Sequence, residues 1–402
     1  MAPLIIAVIG GGISGLVAAA GLAKNGHQVT VYERSKVRGG VGFAFRIGPH
    51  ADRCLASLGV DALAGGGSQS AGLIFRDING KQLGQLDEHT TEGPRSVFAY
   101  RPQLLEQLWE VAEKEGAVIE EGTKVDSVDA ASSSVRLNDG RTIHADLIIG
   151  ADGVHSVVRP AVVDAEKHKP VATLGRNAFR FMIPTETLQN DPLTRELYSG
   201  APYNNAWLGD RISLISYPVD FGRQMNMVCL HPQELSDNET ATSNTGIAID
   251  YSQKVSATTV LSIYEAFDPR ARRHLELADP HGFRAWKLLD MDALPRWSFH
   301  HTVLLGDSCH PVLPFGFNGA AMGIEDATVL ASLLPRGTGK DDLRKRLEVW
   351  EEMRRPRVDR VRDYSRYANN TPEEAEAYLA FLTPYDAVRD AEERLKSLQS
   401  QV

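Results

Sequence analysis

The stretch Leu4-Ile-Ile-Ala-Val-Ile-Gly10-Gly-Gly12-Ile-Ser-Gly15-Leu16 decides the fold. Its apolar, β-rich start reads as a buried parallel strand. Leu16–Asn25 is rich in alanine and reads as a helix, Gly26 ends it, and Gln28–Tyr32 is a second strand. Strand, Gly10-x-Gly12-x-x-Gly15 turn, helix and strand make a βαβ unit. One glycine forms the tight turn, one admits a pyrophosphate to the backbone, and one lets helix and strand pack closely. The helix N-terminus offers unpaired N–H groups and a partial positive charge to phosphates. Glu33 follows Gly15 by 18 residues and stands at the end of the second strand. A carboxylate there accepts both hydroxyls of an adenosine ribose and repels a 2′-phosphate, so the expected ligand is FAD or NAD rather than NADP.

Outward from this unit the chain keeps α/β character, then changes, then returns to it. Gly72–Ile78 and Lys81–Leu86 flank Asn79-Gly80, a type I′ hairpin signal. Pro102–Lys114 is an amphipathic helix, and Leu147–Ile149 is a buried strand ending at Gly150-Ala-Asp152-Gly153. Residues 171–284 alternate strand-like runs with polar loops. Then Val303–Leu305 reads as a strand, Gly319–Leu334 as a helix, and Asp341–Tyr367 as a helix broken near Pro356. The expected organisation is a Rossmann-like nucleotide domain in two parts, 1–170 and 285–402, the second part carrying C-terminal helices. A mostly antiparallel sheet domain, 171–284, is inserted between them. The hairpin near 72–86 is expected on the substrate side.

Composition sets further bounds. The 402 residues are 43% hydrophobic and 24% charged, the mixture of an ordinary globular chain. The net charge of −9 argues against nucleic acid and anionic membranes as partners. No apolar run reaches the roughly 20 residues of a membrane helix, and Leu4–Ile9 has no basic segment before it. Cys54, Cys229 and Cys309 form no C-x-x-C pair, and the 12 histidines show no metal-ligand spacing. A cytoplasmic monomer or dimer without metal is expected.

Four stations along nearly the whole chain resemble the group A flavoprotein monooxygenases, the single-component aromatic hydroxylases. They are Gly10–Gly15 with Glu33-Arg34, Arg101 in Tyr-Arg-Pro-Gln-Leu-Leu, Gly150-Ala-Asp152-Gly153-Val-His-Ser-Val-Val-Arg159, and Gly306-Asp307-Ser-Cys-His310-Pro311. The resemblance implies non-covalent FAD, NAD(P)H as a transient co-substrate, and dioxygen. One oxygen atom would enter an electron-rich aromatic, indole or alkene small molecule, by hydroxylation or epoxidation, in the manner of secondary metabolism. It also implies residue roles. Asp307 would bind the ribityl chain, Asp152 would hold the pyrophosphate, and Arg101 would stand near the flavin. Arg159 would meet an NAD(P)H phosphate or lie in a surface salt bridge. Pro314-Phe-Gly316-Phe317-Asn318-Gly319-Ala320 would turn backbone N–H groups toward the flavin pyrimidine, although the family usually has Gly-Gln-Gly at Phe317-Asn318-Gly319. Gly40-Val-Gly42-Phe-Ala-Phe-Arg46 would face the isoalloxazine, with Arg46 reaching flavin or substrate.

Substrate chemistry is expected on the inserted sheet. Arg180 is a charge inside the apolar run Phe179-Arg180-Phe181, which must face a cleft or be paired. Many members of the family, especially fungal biosynthetic hydroxylases, carry an arginine at this strand and a tyrosine in a Tyr-Pro turn, here Tyr217-Pro218. Both are candidate catalytic residues. Two other classes stay open at this point: an FAD dehydrogenase or oxidase that inserts no oxygen, and a non-catalytic flavin-binding protein. No second glycine fingerprint, Trp-x-Trp box or P-loop is present.

Overall fold

The computed structural model describes residues 2–38, 43–69, 71–88, 93–172, 175–236, 254–367 and 371–400. Ile5–Ile9 is the centre of a six-stranded sheet in the order Ser298–Phe299, Thr302–Leu304, Leu147–Gly150, Ile5–Ile9, Gln28–Glu33, Val118–Glu121. All neighbours run parallel except the first pair. Helix Ile13–Lys24 buries nine of its residues against this sheet. The small side chains Gly15, Ala18, Ala19 and Gly21 let the neighbours approach; a Cβ at Gly21 would meet Ala331 at 2.7 Å. Helix Gly319–Leu333 is buried almost all round and closes the same core.

The second sheet has seven strands, in the order Arg284–Lys287, Arg176–Pro184, Gln224–Pro232, Ser213–Val219, Tyr203–Leu208, Gly72–Asp77, Gln82–Asp87. Side-chain alternation gives it two apolar faces. Phe179, Phe181, Met225, Met227 and Cys229 meet helices Ala257–Ile263 and Pro269–Leu277. Ala178, Tyr217, Val228 and Leu230 pack on Ala44, Phe98, Leu313 and Phe315 of the nucleotide side. A three-stranded sheet, Ala44–Ile47, Val97–Tyr100 and Ser68–Gln69, lies at that junction.

Two expectations are corrected. The hairpin forms, but not through a type I′ turn: only Gly80 is left-handed, at φ +85°. Asp77 accepts from the N–H groups of Asn79 and Lys81, each at 2.9 Å, and this local capture fixes a different turn. Helix Lys340–Tyr367 runs through Pro356 without a break. Leu347, Trp350 and Arg354 before the proline, and Arg357, Val358 and Val361 after it, are buried on one core. That packing outweighs the lost backbone hydrogen bond.

Candidate active site

The loops at the carboxyl ends of the parallel strands converge on one line. This is where an open α/β sheet binds nucleotides. Gly10 holds φ +105°, and a Cβ on it would meet the Ala151 carbonyl oxygen at 2.5 Å. A Cβ on Gly15 would meet the Gly10 carbonyl oxygen at 2.0 Å. Gly12 differs: its Cβ would find nothing nearer than Ala151 O at 3.9 Å. Gly10 and Gly15 are thus demanded by the fold itself, whereas Gly12 keeps space open beside the helix N-terminus. The Glu33 carboxylate accepts from Gly11 N and Ser35 N, both at 2.7 Å, which fixes it at the strand end. Arg34 is exposed. Burial, and then Arg159 and Arg34, lower the pKa of His155.

Asp152 accepts from Val157 N at 2.7 Å and Val158 N at 3.3 Å through Oδ2, while its Oδ1 is buried and without a partner. Burial raises its pKa against the opposing hydrogen bonds from Ser156 and the following backbone. Asp307, in the turn Gly306–Ser308, is exposed as a residue. The protein around its carboxyl raises its pKa, while His310, Arg101 and Arg159 lower it. Arg101 opens helix Arg101–Lys114 and donates its N–H to the Phe43 carbonyl at 3.1 Å.

Arg159 is not the surface arginine that was one of the two expectations: it is 4% exposed. Its guanidinium donates to the carbonyls of Ser308 (2.8 Å), Val154 (2.9 Å) and Asp307 (3.2 Å). It ties the Asp152 loop to the Asp307 turn, satisfying carbonyls that the tight turns leave unpaired.

Pro314 and Gly316 lead into the N-terminus of helix Gly319–Leu333, where Gly319 and Ala320 are half-buried. Gly316 is left-handed at φ +93°, and a Cβ there would meet Tyr378 at 2.9 Å. Asn318 donates to Gly316 O and to Tyr378 Oη, leaving Oδ1 buried and unpaired. Phe317 also holds a positive φ of +60°, a strained value for a residue with a Cβ. Its ring stands edge-on to Tyr217 at 6.0 Å. Gly42 lies outside the described residues. Arg46 is 5% exposed and paired to Glu88 at 2.7 Å.

On the facing sheet, Arg180 Nη2 donates to Ala44 O at 2.8 Å. Phe43 and Trp286 stand 5.1 and 5.0 Å from its guanidinium carbon. No carboxylate pairs with it among the described residues, and its Nε is unpartnered. Tyr217 Oη also donates to Ala44 O at 2.8 Å, and its ring stacks on Phe98 at 4.7 Å. Burial raises the Tyr217 pKa more than Arg180 lowers it, so the phenol keeps its proton at neutral pH.

Several site residues were not foreseen. Trp286 and Glu88 owe their roles to distant partners. A second group lies beneath the Asp307 turn: Glu325 pairs with His50 (2.7 Å), Arg354 (2.7 Å) and Arg357 (2.8 Å). Asp326 pairs with His310 (2.6 Å) and Arg354 (2.8 Å). The adjacent acids Glu325-Asp326 inside an otherwise apolar helix were the available signal, since buried charges require partners.

These features fit FAD. Gly12 leaves a cradle at a helix N-terminus, Glu33 stands at the end of the second strand where a ribose is expected, Asp152 Oδ1 awaits a donor, and Asp307 is an exposed carboxylate at the strand-end turn. A family model described as an FAD binding domain matches residues 4–365. The FAD-dependent monooxygenase atnJ of an Arthrinium species is 30% identical over 364 residues, covering 90% of this chain and 83% of that protein. Hispidin-3-hydroxylase of Neonothopanus nambi is 29% identical over 397 residues, covering 94% and 91%. Among solved structures, CtdE in complex with FAD and substrate superposes with a TM-score of 0.83 at 22% identity, over 99% of both chains. A salicylate hydroxylase substrate complex gives 0.78 at 22% identity, over 98% of both. The chain belongs to the FAD-binding-domain family of flavoprotein monooxygenases, the aromatic hydroxylase group.

Proposed function

We propose that this monooxygenase uses NAD(P)H and dioxygen to insert one oxygen atom into an electron-rich aromatic, indole or alkene small molecule of secondary metabolism, by hydroxylation or epoxidation. The observation that carries this reading is Arg180. It is a half-buried cation without a counter-ion among the described residues, flanked by two aromatic rings and set beside Tyr217 on the sheet face that covers the nucleotide side. FAD, when bound, supplies two-electron reduction by NAD(P)H and activation of dioxygen. The chain's own residues do the rest. Glu33, Gly12, Asp152 and Asp307 hold the cofactor along the strand ends. Arg180 takes a phenolate or carbonyl oxygen by charge-assisted hydrogen bonds. Tyr217, protonated and buried, donates to the same oxygen or relays its proton. Phe43, Phe98, Phe317 and Trp286 exclude water from the ring.

The test is incubation of the FAD-loaded enzyme with NADPH or NADH, isotopically labelled dioxygen, and a panel of phenols and indoles. One labelled oxygen atom in a product is expected. Nicotinamide oxidation that yields only hydrogen peroxide across the panel would overturn the reading.

A further inference from the structure

The sheet face that presents Arg180 and Tyr217 holds other polar side chains, and one of them is fully buried. Asn226 lies in strand Gln224–Pro232, in register with Met182 on one side and Tyr217 on the other. Register partners in an antiparallel sheet project to the same face. The next residue of that strand on the same face is Val228, the partner of Arg180. Asn226 is 0% exposed. Neither its Oδ1 nor its Nδ2 has a hydrogen-bond partner, and among the described residues it is the one side-chain amide with both ends buried and unpaired. Its neighbours on this face, Tyr217, Val219, Val228 and Leu230, belong to an apolar cluster. The strands on both sides of it are otherwise fully laddered. A buried amide in this state lowers stability, whereas valine would occupy a central strand without that cost. Residues that break a local rule in this way cluster at functional sites.

We infer that Asn226 reads the substrate: its carboxamide exchanges hydrogen bonds with a neutral polar group on the ring that Arg180 and Tyr217 address. The inference rests on the proposed oxygen-transfer site for the place where the substrate lies. A carboxamide presents one acceptor and one donor side by side, and its complement is a group with the same pair, a lactam or an amide. A carboxylate would satisfy Nδ2 but set a negative charge against Oδ1. Arg180 and Asn226 then divide recognition, the cation taking the ring oxygen and the amide taking the neutral substituent.

The experiment uses the FAD-loaded enzyme and two matched probes, salicylamide and salicylate, titrated by the change each makes in the visible flavin spectrum. Asn226→Val is expected to weaken salicylamide about tenfold and salicylate by less than about twofold. In the same variant without probe, the melting temperature should rise by on the order of 2 °C, because an unpaired buried amide has been removed. Equal effects on both probes, no effect on either, or no salicylamide binding to the parent enzyme overturns the inference. So does a fall in melting temperature, which would show the amide bonded within the protein. A selective loss of salicylamide in an enzyme that transfers no labelled oxygen would sustain this inference while removing the proposed reaction. Oxygen transfer without that selectivity would do the reverse.

Discussion

Arg180 and Tyr217 meet at one atom: the carbonyl oxygen of Ala44 accepts a hydrogen bond from each, at 2.8 Å. Ala44 opens strand Ala44–Ile47 within the run expected to face the isoalloxazine, so the two side chains join the substrate sheet to the flavin side. Each also keeps capacity to spare, since Arg180 Nε is unpartnered and a phenol oxygen can accept while it donates.

This arrangement predicts a separation of cofactor binding from turnover. Arg180→Ala and Tyr217→Phe should retain FAD, because neither side chain lies along the strand-end loops. Product formation should fall by about ten- to a thousandfold, while NAD(P)H oxidation continues and releases peroxide. Arg180→Lys should recover little, because an ammonium lacks the planar face set between Phe43 and Trp286. The measurement is product formed per NAD(P)H consumed at saturating substrate. Unchanged rate and coupling in both variants would place oxygen transfer elsewhere.

Asp307 is predicted to act on the cofactor rather than on the fold. It is exposed as a residue, and it caps no helix through a side-chain hydrogen bond. Asp307→Ala removes a charge-assisted bond of roughly 1.5–3 kcal/mol. FAD affinity should fall about ten- to a hundredfold, as followed by recovery of flavin fluorescence on dilution. Equal FAD affinity in the variant would exclude contact with the ribityl chain.

The parts of this site that could be read from sequence are those whose chemistry is local. Gly10, Gly12, Gly15 and Glu33 sit within one βαβ unit, and Asp307 follows its strand directly. Arg180 announced itself as a charge in an apolar strand, and Tyr217 only through the family resemblance. What escaped depends on pairing across the fold. Glu88 neutralises Arg46 from 42 positions away. Arg357 reaches Glu325 across 32. The surface salt bridge expected as one alternative for Arg159 is absent among the described residues, because sequence shows a charge but not its burial. The unbroken helix through Pro356 has the same cause, since packing on both sides of the proline decides it.

Two buried histidines predict an acid-sensitive substrate domain. His231 stacks on Phe179 at 4.0 Å and bonds Ser236 Oγ at 2.7 Å. His274 contacts Arg270 O at 2.7 Å and Tyr198 Oη. Burial lowers both pKa values from 6.5 to about 4. The unfolded chain therefore binds these protons first as pH falls. Their contribution is fully present above pH about 6.5 and is lost progressively toward pH 4, up to roughly 3 kcal/mol for each. Melting temperature should drop across that window. His231→Phe should flatten the slope; an unchanged slope would show that His231 is not titrating there.

The three glycines of the fingerprint differ in what an added Cβ would meet. At Gly15 an added Cβ would stand 2.0 Å from the Gly10 carbonyl oxygen, and at Gly10 2.5 Å from that of Ala151. Both collisions are with backbone, which cannot swing aside, and Gly10 is also left-handed. Gly10→Ala and Gly15→Ala should therefore destabilise the protein itself, with or without FAD. Gly12 is different in both respects. Its φ of −79° suits any residue, and its Cβ would meet nothing closer than 3.9 Å. Gly12→Ala should leave the melting temperature of the flavin-free protein within about 2 °C of the parent, equivalent to a change well under about 1 kcal/mol. Yet the new methyl would occupy the space through which a pyrophosphate approaches the helix N-terminus. FAD affinity should fall at least about tenfold. The paired measurement is calorimetric melting of the flavin-free protein and FAD titration of each variant. If Gly12→Ala bound FAD like the parent, the phosphates would not pass over this turn. If it unfolded like Gly15→Ala, the open space at Gly12 would be a packing requirement and not a ligand cradle.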